Sequence, residues 1–322
     1  MPRRRTAIAA LCAVAAFAVP AMQATAQTGI VRIIVPFAAG GGTDALARTI
    51  APKLAADLGQ NVIVENRPGA GGQIGAAAVK AAAADGSTYL FTPDHPVVTL
   101  PHVVDKAGYD ARDFVAVGQV ARFALVLTAG PATGTKTMAE FAAFVKANPD
   151  RASYGVPYVG GMASTAGLAI SKKLGVKMVA IPYQGSGPVV LAVAGDQVAF
   201  GITGLAEALP LTQSGKLSVL AVSGPRRSPQ LPDVPTFEEL GYPGLTISSW
   251  YAFFAPKALP PATAQRFNAA LLKALAAPEV KQRIADLAIE YAPTKLEESA
   301  AELHKAAAFW NEAAKSPDFV RP

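Results

Sequence analysis

Three consecutive glycines stand between an apolar run and a helical pattern in Pro36-Phe37-Ala38-Ala39-Gly40-Gly41-Gly42-Thr43-Asp44. Glycine lets a backbone approach a bound group closely, and the unpaired N–H groups and dipole at a helix start attract negative charge. A plain turn capped by Thr43 or Asp44 would account for one glycine but not for three. Phe37, Ala38, Ala39, Gly40, Gly41, Thr43 and Asp44 are therefore candidate contacts to an anion. Asn66-Arg67-Pro68-Gly69-Ala70-Gly71-Gly72 repeats the arrangement, with a flexible turn as its competing reading. Gly160-Gly161 with Ser164 and Thr165, and Gly185-Ser186-Gly187-Pro188 after Tyr183, supply two comparable loops later in the chain. These add Gly161, Ser164, Tyr183 and Gly185 to the candidates. His95, in Thr92-Pro93-Asp94-His95, is the histidine positioned to meet a ligand beside Thr92, or else a loop residue hydrogen-bonded to Asp94.

Catalytic chemistry finds little support. Cys12 is the single cysteine, so the rest of the chain has no thiol for a disulfide, a metal site or a nucleophile. No serine lies in G-x-S-x-G, and Gly130 to Thr137 carries Thr135 where a P-loop needs its second glycine. The histidines are His95, His102 and His304, and none has metal-ligand spacing with a suitable partner. No catalytic residue, metal or cofactor is expected. One alternative survives: Gly40-x-Gly42-x-x-Ala45, with Glu65 ending the next strand, approaches a dinucleotide fingerprint. A lone match of that kind is weak, and an exported protein meets few redox dinucleotides.

Export is the reading of residues 1–26. Arg3, Arg4 and Arg5 precede an apolar run from Thr6 to Val19, and Ala24-Thr25-Ala26 is an A-x-A cleavage site. The run is too short to span a bilayer, which takes about 20 apolar residues. Its removal would lower the net charge from +6 to +3, too mild a surplus for a nucleic-acid partner. The expectation is a soluble, periplasmic, monomeric protein.

The elements that carry these loops alternate between strand and helix. Val31 to Val35 is β-branched; Leu46, Ile50, Leu54 and Leu58 recur at helical spacing, interrupted by Pro52, until Gly59. Strands at Asn61 to Glu65 and Thr88 to Thr92, around a helix from Gln73 to Ala83, complete a βαβαβ unit. A second unit begins with a strand from Ala124 to Thr128 and a helix capped by Thr137 and Glu140. Further strands are expected at Ala152 to Val156, Lys177 to Ile181, Gln197 to Ile202 and Leu217 to Val222. The C-terminal part is helical, its last helix capped by Thr294 and Glu297 with Leu296, Ala300, Leu303, Ala307 and Trp310 forming one apolar stripe. That stripe should pack back on the first lobe. The pattern predicts an α/β protein: a first lobe over 27–125, a second over 126–249, and a return to the first over 250–322. Two crossings, near Phe123 to Val126 and Ser249 to Tyr251, act as hinges, and the cleft between the lobes takes a small anion.

Several motifs, in order, resemble the tripartite tricarboxylate transporter substrate-binding proteins, or Bug family. They are Pro36-Phe37-x-x-Gly40-Gly41-x-x-Asp44, Glu65-Asn66-Arg67-x-Gly69-Ala70-Gly71-Gly72, Tyr109-Asp110 with Asp113-Phe114, Pro182-Tyr183-x-Gly185-Ser186-Gly187-Pro188, Ser214-Gly215-Lys216-Leu217, and Pro235-Thr236 through Gly241-Tyr242-Pro243-Gly244 to Ser249-Trp250-Tyr251. The resemblance implies a periplasmic binding protein that closes two α/β lobes around a small carboxylate and delivers it to a membrane permease. A sensor that presents its ligand to a receptor shares the same features. The resemblance also implies that backbone amides of the Phe37 to Gly40 loop and of Gly161 to Ser164 hold the ligand. Here the chain departs from the family, with Val156, Pro157 and Ser164 in place of a serine-rich turn leading to a histidine. Thr203 aligns where an Asp is common, and its neutrality argues for a carboxylate ligand without an amine.

Overall fold

The computed structural model describes residues 29–158, 160–246 and 248–315; the segment read as a signal peptide lies outside them. β1 (Ile30–Val35), α1 (Gly42–Leu58), β2 (Asn61–Asn66), α2 (Gln73–Lys80) and β3 (Thr88–Pro93) form a parallel unit in the order β2-β1-β3. Ile33 lies opposite Val64 on one side and Tyr89 on the other. α1 continues through Pro52, and Gly59 ends it in the left-handed conformation, φ 66°. Two short helices, α3 (His95–Val98) and α4 (Leu100–Val103), follow β3.

β4 (Phe114–Ala129) is the element that unites the molecule. Its 16 residues serve both lobes: Phe114 to Ala124 pair antiparallel with β9 (Ser248–Pro256), and Leu125 to Ala129 pair with β7 (Phe200–Gly204). The expected strand at Ala124 to Thr128 is therefore only its end. The earlier half has no alternating pattern because both its faces are covered, leaving a nearly continuous buried run. The second lobe contains α5 (Met138–Ala147), β5 (Ser153–Val156), α6 (Gly161–Leu174), β6 (Val179–Pro182), α7 (Ser186–Ala194), β7, α8 (Leu205–Gln213) and β8 (Ser218–Val222). β5 pairs parallel with β6 and β7, while β8 runs antiparallel along β4.

After β9 come α9 (Pro261–Ala276), α10 (Pro278–Asp286), β10 (Glu290–Tyr291) and α11 (Leu296–Ala313). β10 pairs with β4 at Ala121 and Arg122. Leu303 and Trp310 of α11 are buried in one cluster with Trp250, Phe254 and Val98. The cap of α11 differs from expectation by one residue. Lys295 N–H donates to Glu298 at 2.8 Å, and Thr294 instead bonds the Gln119 N–H of β4 at 3.1 Å. The α5 cap is as expected, with reciprocal bonds between Thr137 and Glu140 of 3.2 and 3.0 Å.

Close packing dictates a small residue inside α6. A Cβ on Gly167 would fall 2.1 Å from the Tyr154 ring, and that ring is buried beneath the helix. Replacing a helical glycine by alanine ordinarily gains about 1 kcal/mol, yet overpacking costs about 1–3 kcal/mol, and a ring in a packed lobe has nowhere to move. Gly167→Ala is thus expected to lower the urea midpoint; a midpoint at or above wild type would refute the packing argument.

Candidate functional site

A cavity of about 670 Å³ opens between the lobes. The first lobe contributes the loop from Phe37 to Thr43; the second contributes Tyr158, Gln184 to Pro188 and Glu207; Phe123 and Tyr251 line it at the crossings. The loop turns at Gly40, where φ is 84°, and Gly41 caps α1 without a side-chain bond. Neither Thr43 nor Asp44 is the cap. Asp44 instead holds the loop from behind, accepting from the Gly40 N–H at 2.9 Å, Arg48 Nε at 3.0 Å and Asn66 Nδ2 at 2.9 Å. Burial pushes its carboxyl upward, but these bonds and the Arg48 charge hold it below the usual carboxylate range. Asn66 also bonds the Phe37 carbonyl at 3.1 Å. Ala38 to Gly41 line the cavity at the positive end of α1.

Phe37, Ala38, Ala39, Gly40, Gly41, Thr43 and Gly185 all line the cavity. The remaining candidates lie elsewhere. Thr92 is buried in β3, its hydroxyl without a partner among the described residues, and Val156 is buried at the end of β5. Ser164 is buried in α6, and Tyr183 donates its N–H to the Val156 carbonyl at 2.9 Å. Thr203 is fully buried in β7 opposite Val126, its hydroxyl on the Gly204 carbonyl at 3.3 Å.

His95 meets the other lobe through a ring stack. Its imidazole lies on Tyr158 with centroids 3.6 Å apart and planes 11° from parallel, and Gly161 packs against the pair. It is not bonded to Asp94; both ring nitrogens are buried without a partner among the described residues. Burial lowers its pKa to about 3. Asp94 is buried too, hydrogen-bonded by the Ser249 hydroxyl, and burial raises its carboxyl to about 6.

Glu207 was not among the candidates. It stands in the first turn of α8, and its Oε1 accepts the Gly42 N–H across the cleft at 3.2 Å. Burial raises its carboxyl, with partial relief from backbone N–H groups including that of Gly42. Nothing local in Leu205-Ala206-Glu207 distinguishes it from an ordinary acidic residue in a helix's first turn.

Known proteins show the same architecture. The model of the tripartite tricarboxylate transporter family receptor matches residues 46–306. Protein BugT of Bordetella pertussis is 34% identical over 287 residues, 88% of each chain. MatC from Rhodopseudomonas palustris, solved with bound malate, is 28% identical with a TM-score of 0.82, over 90% of this chain and 100% of that one. A second R. palustris protein, solved with adipate, is 29% identical with a TM-score of 0.84, over 90% of this chain and 97% of that one. With the cleft, the cradle at the start of α1 and a match over most of its length, the chain belongs to the tripartite tricarboxylate transporter receptor (Bug) family of periplasmic solute-binding proteins.

Proposed function

We propose that the protein, exported by way of residues 1–26, binds a small organic carboxylate in the inter-lobe cavity and hands it to the membrane subunits of a tripartite transporter. The observation that carries this reading is the N-terminal end of α1 opening into a cavity of about 670 Å³ between the lobes, a size suited to a small ligand. Main-chain N–H groups of Ala39, Gly41 and Gly42 supply the donors, that of Gly40 being held by Asp44. Phe37, Thr43 and Gly185 shape the walls around them. Thr92, His95, Val156, Gly161, Ser164, Tyr183 and Thr203 act indirectly, by holding the lobes together or the strands in register. Binding favours the closed arrangement, because a ligand touching both lobes has its full set of contacts only there. No chemistry on the ligand is part of this reading.

Gly41→Val separates this reading from a plain turn. A Cβ there meets only the Ala38 carbonyl oxygen, at 3.7 Å, and φ is −74°, so the fold tolerates the change. The added methyls enter the cavity beside the donors. Calorimetry with malate and adipate is expected to detect binding to wild type and at least a tenfold loss in the variant, about 1.4 kcal/mol, with a melting temperature lowered only by the poorer helix cap. Equal affinities would return the loop to the status of a turn. Scattering with and without the tighter-binding acid should report a more compact bound form.

A further inference from the structure

The binding role proposed above leaves Glu207 unused, although its carboxylate lines the cavity. The side chain reaches from α8 in the second lobe to the first residue of α1 in the first, where it accepts the Gly42 N–H at 3.2 Å. Its berth is closely fitted. A Cβ on Gly42 would fall 2.7 Å from one carboxylate oxygen, and a Cβ on Gly204 would fall 2.7 Å from the other. The hydroxyl-bearing rings of Tyr158 and Tyr251 lie within its electrostatic reach, and Arg283 and Asp286 line the same cavity. Among the described residues no lysine or arginine forms an ion pair with it. The chain's own carboxylate thus occupies a donor that an incoming ligand carboxylate would use.

A ligand carboxylate seated at Gly42 therefore meets a second carboxylate in a poorly hydrated cleft, and two like charges there oppose each other. The conflict disappears if the ligand carries a cation next to its own carboxylate. The ligand then takes the Gly42 N–H, and Glu207 exchanges that donor for the ligand's ammonium. We infer that Glu207 is a specificity residue, selecting carboxylates that bear a protonated amine over plain carboxylates of the same length. This rests on the carboxylate reading of the cavity and reverses the expectation drawn from Thr203. Thr203 is enclosed between β7 and β4, bonded to the Gly204 carbonyl, so its neutrality does not set the charge of the cavity wall. Glu207 does.

The test is calorimetry on the full chain with two matched series: succinate, malate and aspartate, then adipate and 2-aminoadipate. Wild type is expected to bind the amine-bearing member of at least one series about tenfold or more tightly than the plain acid, and Glu207→Gln to reverse that order. Glutamine keeps an acceptor for the Gly42 N–H, so the lobes retain their contact. Glu207→Ala, which removes the carboxylate altogether, must move the ratio in the same direction. An order favouring plain acids in wild type, or a ratio unchanged in both variants, overturns the assignment to Glu207. Failure of every acid to bind wild type and both variants overturns the carboxylate reading itself, and this inference with it.

Discussion

Gly161→Val is expected to weaken ligand binding at least 100-fold, about 3 kcal/mol, through the contact between the lobes. Gly161 opens α6 with φ at 76°, a conformation in which a β-branched residue is strained by about 1–2 kcal/mol. A Cβ there would also lie 2.7 Å from His95 Nδ1 and 2.9 Å from the Tyr158 ring. That stack is where α3 of the first lobe meets the loop before α6, so the methyls drive the lobes apart. Affinity then falls with the fraction of molecules able to close. Gly175→Val separates the two causes: it has the same kind of backbone, φ 65°, with open space around it. Both variants should lose stability; only Gly161→Val should lose binding. Similar affinities in the two would remove the lobe contact from the account.

The second expectation concerns Asp94 and His95, adjacent buried groups whose titrations oppose each other. Burial raises Asp94 from 3.8 to about 6, so its native form holds the proton more tightly than the unfolded chain does. Stability from this group is present below pH 3.8 and is lost as pH rises through 6, leaving a cost of about 3 kcal/mol at pH 7. His95 is depressed from 6.5 to about 3. Its contribution is complete above pH 6.5 and is lost as pH falls toward 3. Between pH 4 and 6 the two slopes, each about 1.4 kcal/mol per pH unit, nearly cancel. Asp94→Asn keeps an acceptor for Ser249 and should be more stable than wild type by about 3 kcal/mol at pH 7, converging on it near pH 4. His95→Phe, which can still stack on Tyr158, should show the mirror image: little difference at pH 7 and a gain of about 3 kcal/mol near pH 4. Urea titrations read as differences from wild type isolate these groups, since other carboxylates cancel. Parallel profiles for wild type and either variant would contradict the assignment.

Much of the architecture was legible because its causes are local. The alternation of strand and helix follows from side-chain periodicity within each element. The α5 cap follows from two residues three positions apart, Thr137 and Glu140. Glycines before helices marked the cradle at Phe37 to Thr43 and the loop at Gly185, both on the cavity wall. Legibility failed where both faces of a strand are covered, as in the first half of β4, whose buried run has no period to read. It failed again at Asp44, where residue type suggested a ligand contact or cap and the carboxylate turned out to brace the loop against Arg48 and Asn66.

What the sequence alone determined is the fold class, the family motifs and a glycine-rich loop at the start of α1, since each depends on neighbours along the chain. Tertiary structure alone decided which residues face that loop. Glu207 reaches Gly42 over a separation of 165 residues, and His95 meets Tyr158 only because β4 carries both lobes on one continuous strand. The charge inside the cavity, and the burial that shifts Asp94 and His95 in opposite directions, depend on how two separately patterned lobes pack, and no local period encodes that.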